Sequence, residues 1–67
     1  MTEFNIYEEK ILQVLHRARI PISTREVARR ADISWNTAKK YLEILFEDGY
    51  IESYDAGNAI EWEIIEE

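Results

Sequence analysis

Three helices followed by a C-terminal β-hairpin, a mostly helical α+β domain, is the fold class that this 67-residue sequence predicts. Apolar residues recur at helical spacing in three stretches, and each stretch opens on an Asn or Ser suited to cap a helix. The C-terminal stretch instead alternates around a turn rich in Gly and Asn. The chain is too short for two hydrophobic cores, so a single domain over residues 1–67 is expected, ordered over about 6–65. A domain of this size buries only roughly 60% of its unfolded surface, which limits its stability.

The first helix is expected to start at Asn5, because Glu8 three residues later completes a capping box. Tyr7, Ile11, Val14, Leu15 and Ala18 form its apolar side, and Glu9, Lys10, Gln13, His16 and Arg17 its polar side. Pro21 ends it, and Arg19-Ile20-Pro21-Ile22 reads as extended chain, a short edge strand or link. Ser23-Thr24-Arg25-Glu26 has the form of a second capping box, opening a two-turn helix that carries Val27, Ala28 and Ala31. Asp32-Ile33 is then a tight junction, and Ser34 caps a longer third helix that runs to Gly49, a residue suited to a left-handed helix end. Its buried stripe reads Trp35, Ala38, Leu42 and Leu45, flanked by Tyr41 and Phe46. Tyr50–Tyr54 and Ala59–Ile65 alternate as two strands about the turn Asp55–Asn58. Pairing Tyr54 with Ala59 sets Ile51 opposite Trp62, Ser53 opposite Ile60 and Glu52 opposite Glu61.

Nearly half the residues are hydrophobic and a third are charged, too apolar a mixture for a disordered segment. No cysteine is present, which excludes disulfides and thiolate metal sites and fits a reducing compartment, with the cytoplasm as the expected location. The apolar runs are far shorter than the ~20 residues of a membrane span, and the start Met-Thr-Glu-Phe lacks a signal-peptide pattern, so neither membrane nor export is expected. His16 has no second histidine or cysteine to complete a metal set. Glu61, Glu63, Glu66 and Glu67 read as a solvated charge run rather than a hard-cation site. With no nucleophile–base spacing and only two glycines, no catalytic residues, metal or cofactor are expected, and the chain does not read as an enzyme.

The net charge of −6 hides a strong polarity. Between Arg17 and Lys40 seven basic residues face only Glu26 and Asp32, a local charge of +5, whereas the rest sets Lys10 against twelve acids, −11. Function is therefore sought in the basic middle.

Helix, short strand, helix, tight turn, longer helix and hairpin, with the runs Pro21-Ile22-Ser23-Thr24-Arg25-Glu26-Val27-Ala28 and Leu42-Glu43-Ile44-Leu45-Phe46-Glu47-Asp48-Gly49-Tyr50-Ile51, closely resemble the winged helix-turn-helix superfamily of DNA-binding domains. The chain is similar to compact prokaryotic, especially archaeal-type, transcription regulators. The resemblance implies a helix-turn-helix over about 23–48, with Ser34–Tyr41 as the front of the recognition helix, and a wing over about 50–65 with its tip at Asp55–Asn58. It further implies that Ser34, Asn36, Thr37, Lys39 and Lys40 face base edges or phosphates, the alternative being a solvated helix face. Arg25, Arg29 and Arg30 on the second helix would grip phosphates, or else pair with nearby acids. Tyr54 and Asn58 could donate to a phosphate from a wing that has no Arg or Lys, though a hairpin tolerates both residues without such a role. Trp35 could stack on a sugar or wedge near the groove, but its place on the Ala38–Leu42 stripe favours the core or its rim, and Trp62 is expected in the packing.

The reading is a double-stranded DNA-binding protein and transcription regulator, with helix 34–48 in the major groove and helix 24–31 on the phosphates. The alternative is a winged-helix protein-interaction module that uses an acidic surface to bind another protein. A homodimer suits a reader this small, and Phe4, Leu12 and Ile44, which lie off the buried stripes, are its candidate contacts or else cover the core.

Overall fold

The computed structural model describes residues 3–66; the readings on Met1, Thr2 and Glu67 lie outside these. The elements follow in the order α1 (Ile6–Ala18), β1 (Ile22–Ser23), α2 (Thr24–Ala31), α3 (Trp35–Glu47), β2 (Ile51–Asp55) and β3 (Ile60–Ile64). All three helix starts fall where the caps place them. At α1 the box is complete, with Glu8 N–H donating to Asn5 Oδ1 at 2.8 Å and Asn5 N–H donating to Glu8 Oε1 at 2.9 Å. At α2 only half of the expected box forms. Glu26 N–H donates to Ser23 Oγ, but the Glu26 carboxylate turns away to two arginines, whose charge outcompetes a backbone amide.

The helix ends use left-handed residues. Gly49 (φ +88°) closes α3, with its N–H donating to Phe46 O and the Tyr50 N–H to Leu45 O, the paired bonds of a Schellman motif. Asp32 (φ 58°) closes α2 in the same way, through Asp32 N–H to Arg29 O and Ile33 N–H to Ala28 O. Arg19 corrects the expectation of extended chain from 19 to 22. It adopts φ 62° and its N–H still donates to Leu15 O, so α1 ends on a left-handed cap before the chain straightens at Pro21.

The sheet has three antiparallel strands in the order β1-β3-β2, so Ile22–Ser23 is an edge strand that pairs with β3 through Ile22↔Trp62 and Ser23↔Glu61. The hairpin register differs from the sequence expectation by two residues: Ile51 faces Ile64, Ser53 faces Trp62, and Glu52 faces Glu63. Asp55 belongs to the strand and pairs with Ile60, because its carboxylate accepts from the Gly57 N–H and Ala56 N–H donates to Ala59 O, which tightens the turn to 56–59. A shift of two preserves every side chain's face, so the apolar side still meets the helices.

That side completes the core. Ile11 and Leu15 of α1, Val27 and Ala28 of α2, and Ala38, Leu42 and Leu45 of α3 close over Ile22, Ile51 and Trp62. Phe4 and Leu12 pack against this cluster, Phe4 edge-on to Tyr50. Trp62 meets Phe46 edge-to-face, and its indole N–H donates to the buried Thr24 Oγ1 at 2.8 Å, tying β3 to the first turn of α2. No described helix is long and apolar enough to cross a membrane.

Candidate nucleic-acid interface

The first turns of α3 are held by their own cap. Ser34 Oγ accepts from the Thr37 N–H at 3.1 Å and donates to Thr37 Oγ1 at 2.8 Å, which fixes the helix start and holds the Thr37 hydroxyl as an acceptor. Asn36 is exposed. Residues 35, 39 and 43 share one face at a spacing of four, and along it Lys39 Nζ lies 5.9 Å from the Trp35 ring centroid and pairs with Glu43 at 3.2 Å. Lys40, one step around the helix, lies 5.2 Å over the Tyr41 ring, which stacks in turn on Tyr7 of α1.

On α2 the basic residues separate. Arg30 Nε pairs with Glu26 Oε2 at 2.7 Å, and Arg29 clasps the same carboxylate through both Nε and its terminal nitrogen. Arg29 first, then Arg30, hold the Glu26 carboxyl down at about 2 from an ordinary 4.5, and Glu26 in return raises the Arg29 guanidinium. The structure thus realises the acid pairing weighed for these arginines, while leaving most of the Arg29 side chain exposed. Arg25 makes no ion pair among the described residues.

Arg25, Trp35, Lys39 and Asn58 are brought together. They border an open cleft of about 470 Å³ between the starts of α2 and α3 and the hairpin, with Trp62 and Ile60 supplying apolar lining. Trp35 is therefore not a core residue: it is 49% exposed and stands at the rim of this cleft. The first position of α3 points past the core toward the wing, and Ala38, Leu42 and Leu45 fill the interior without it. Its helical spacing from Ala38 and Leu42 suggested burial, and no local signal marked it as a surface indole.

Tyr54 stands apart from these residues. It lies on the sheet face opposite Trp62, where its hydroxyl bridges Glu52 and Glu63 at 3.1 and 3.2 Å. The two carboxylates push its ionisation up, Glu52 first, with desolvation adding to the effect. With Glu61 they make that face acidic.

No curated protein matches the chain. Among solved structures, a cysteine-to-serine mutant of ZitR from Lactococcus lactis superposes with a TM-score of 0.74 at 26% identity over 98% of this chain, which confirms the winged-helix fold. The chain spans about half, 49%, of that protein's length. Residues 6–65, from the first residue of α1 to just past β3, match the model of the family of unknown function DUF7342, and the chain belongs to that family.

Proposed function

We propose that the protein binds double-stranded DNA as a non-enzymatic, cytoplasmic transcription regulator, with the 34–48 helix in the major groove and the 24–31 helix on the phosphates. The observation that carries this reading is the cleft between the starts of α2 and α3 and the wing of a winged helix, where Arg25, Lys39 and Asn58 meet, with further exposed cations on both helices. Arg25, Lys39 and Asn58 border this cleft, Arg29 on α2 and Ser34, Asn36 and Lys40 at the start of α3 are exposed with Thr37 half-buried among them, and Arg30 faces α1 beside Lys10 and Arg17. Asn36 is suited to adenine, and the lysines to guanine or phosphate. Glu26 and Glu43 hold three of the cations in place as exchangeable pairs that phosphates replace on binding. Tyr54 serves as a phosphate donor only if it leaves Glu52 and Glu63. Of the three residues considered for a homodimer, Phe4 and Leu12 pack against the core, and Ile44 on α3 remains for a contact over two half-sites.

Fluorescence anisotropy of a labelled random duplex from about 20 to 200 mM salt tests the reading. About five phosphate contacts give a log–log slope near −4.5, at roughly 0.9 per phosphate neutralised. Lys39→Ala/Lys40→Ala abolishes binding, and absence of binding by the wild type at the lowest salt defeats the proposal. One observation favours a second reading, a winged-helix module that binds another protein: the outer sheet face, with Glu52, Tyr54, Glu61 and Glu63, suits a basic partner.

A further inference from the structure

We infer that the cleft between α3 and the wing seats one sugar–phosphate strand of duplex DNA, with the Trp35 indole against the sugars and Arg25 and Lys39 on the flanking phosphates. The inference rests on the DNA-binding reading and adds to it a contact residue, Trp35, and a strand-binding role for the inner side of the wing.

An indole that leaves half its surface in water at the first position of a helix contributes little to the core, and the core is complete without it: Ala38, Leu42 and Leu45 are all inaccessible. The position is nonetheless a built one. Trp35 stands over a cleft whose other apolar wall is Ile60, itself 42% exposed, and whose lining includes the buried Trp62. Thr24, also in the lining, has its hydroxyl occupied by the Trp62 N–H, so the interior offers mainly apolar contact. The charged groups bordering it are Arg25, Lys39 and Glu43, and Glu43 is neutralised by Lys39. Arg25 thus leaves the cleft an uncompensated positive charge.

An apolar channel with cations at its edge fits a ligand that alternates apolar and anionic groups. A nucleic-acid backbone does this, with the apolar C–H edges of deoxyribose between phosphates, and the large apolar face of an indole packs against a sugar without reading a base. Apolar peptide segments lack the anion, and free inorganic phosphate lacks the apolar face. The Lys39 ammonium already lies over the Trp35 ring, which holds the indole in place and brings the phosphate contact and the sugar contact within one helical turn.

The protein has two tryptophans, one buried and one half exposed, so emission separates them. Acrylamide quenching of tryptophan emission and anisotropy of a labelled 20-base-pair duplex are read on the same samples at low salt, for the wild type, Trp35→Phe and Trp35→Ala. Saturation with duplex is expected to protect the wild-type emission down to the accessibility of the Trp62 signal that Trp35→Phe isolates. Trp35→Ala is expected to weaken binding by about 5-fold, the scale of burying roughly 40 Å² of apolar surface against the sugars. Duplex binding with quenching of Trp35 unchanged overturns the inference and leaves the DNA reading intact. No duplex binding by the wild type overturns both.

Discussion

At the scale of single residues, the firmest link in the molecule is the one from Trp62 to Thr24. Both are buried, they are 38 positions apart in sequence, and their hydrogen bond joins the central strand to the helix that carries Arg25, Arg29 and Arg30. Thr24→Val keeps the shape but strands the indole N–H in an apolar setting, and urea unfolding is expected to show a loss of about 1–3 kcal/mol, whereas Thr24→Ser retains the acceptor and loses less. Glu26 is a contrasting case, half-buried and electrostatic. Its carboxyl is lowered to about 2 in the fold from 4.5, so the ionised form stabilises α2 fully above about pH 4.5. That contribution fades as the pH falls from there through about 2, because the unfolded chain takes up its proton first. The difference in Tm between the wild type and Glu26→Gln is therefore expected to be constant above pH 5 and to shrink toward pH 2. A difference that does not change over that range removes the ion pairs as its cause.

At the scale of elements, the helix ends decide the geometry of the interface, since α2 and α3 are joined by so short a turn that their caps set their relative placement. Gly49 adopts φ +88°, and a Cβ added there would meet nothing within 4 Å, so Gly49→Ala has no steric component. Its cost is the left-handed backbone itself, about 1–2 kcal/mol, read as a lowered urea midpoint with unchanged m-value. The elements were legible from sequence wherever a local chemical signal fixes them: Asn5 with Glu8, Ser23 and Ser34 mark the helix starts, and Gly49 the end of α3. They were not legible where geometry depends on partners distant in sequence. Arg19 takes a left-handed cap that Gly or Asn more often fills, so its residue type carried no hint. The two-residue shift in the hairpin arises because Asp55 both pairs as a strand residue and braces the turn, roles that residue preference does not separate. The candidate site was legible in the same uneven way. Pairing of the arginines with nearby acids was open in the sequence, but which acid they take shows only in the helix, where Glu26 lies three and four residues before Arg29 and Arg30, and the cleft beside Trp35 exists only once β3 crosses in front of α3.

At the scale of the whole molecule, charge is divided between faces: cations on α2 and the start of α3, carboxylates on the outer face of the sheet. This division acts on DNA only through distance. The domain measures 36 × 27 × 20 Å, whereas electrostatic fields decay over roughly 20 Å at 20 mM salt and roughly 7 Å at 200 mM. Carboxylates on the outer sheet face therefore repel an approaching duplex at low salt and are screened from it at high salt. Glu26 and Glu43 touch the binding cations directly and compete with phosphate at both. The triple variant Glu52→Gln/Glu61→Gln/Glu63→Gln is expected to bind duplex DNA a few-fold more tightly than the wild type at 20 mM salt, through faster association, and equally at 200 mM. Glu26→Gln/Glu43→Gln is expected to gain a few-fold at both salts, because these contacts of 2.7 and 3.2 Å are shorter than the screening length at either salt. Anisotropy titrations with stopped-flow association rates distinguish the two. If the triple variant keeps its advantage at 200 mM, the sheet carboxylates lie close to the DNA, and the outer face of the wing takes part in the contact as well as its inner side.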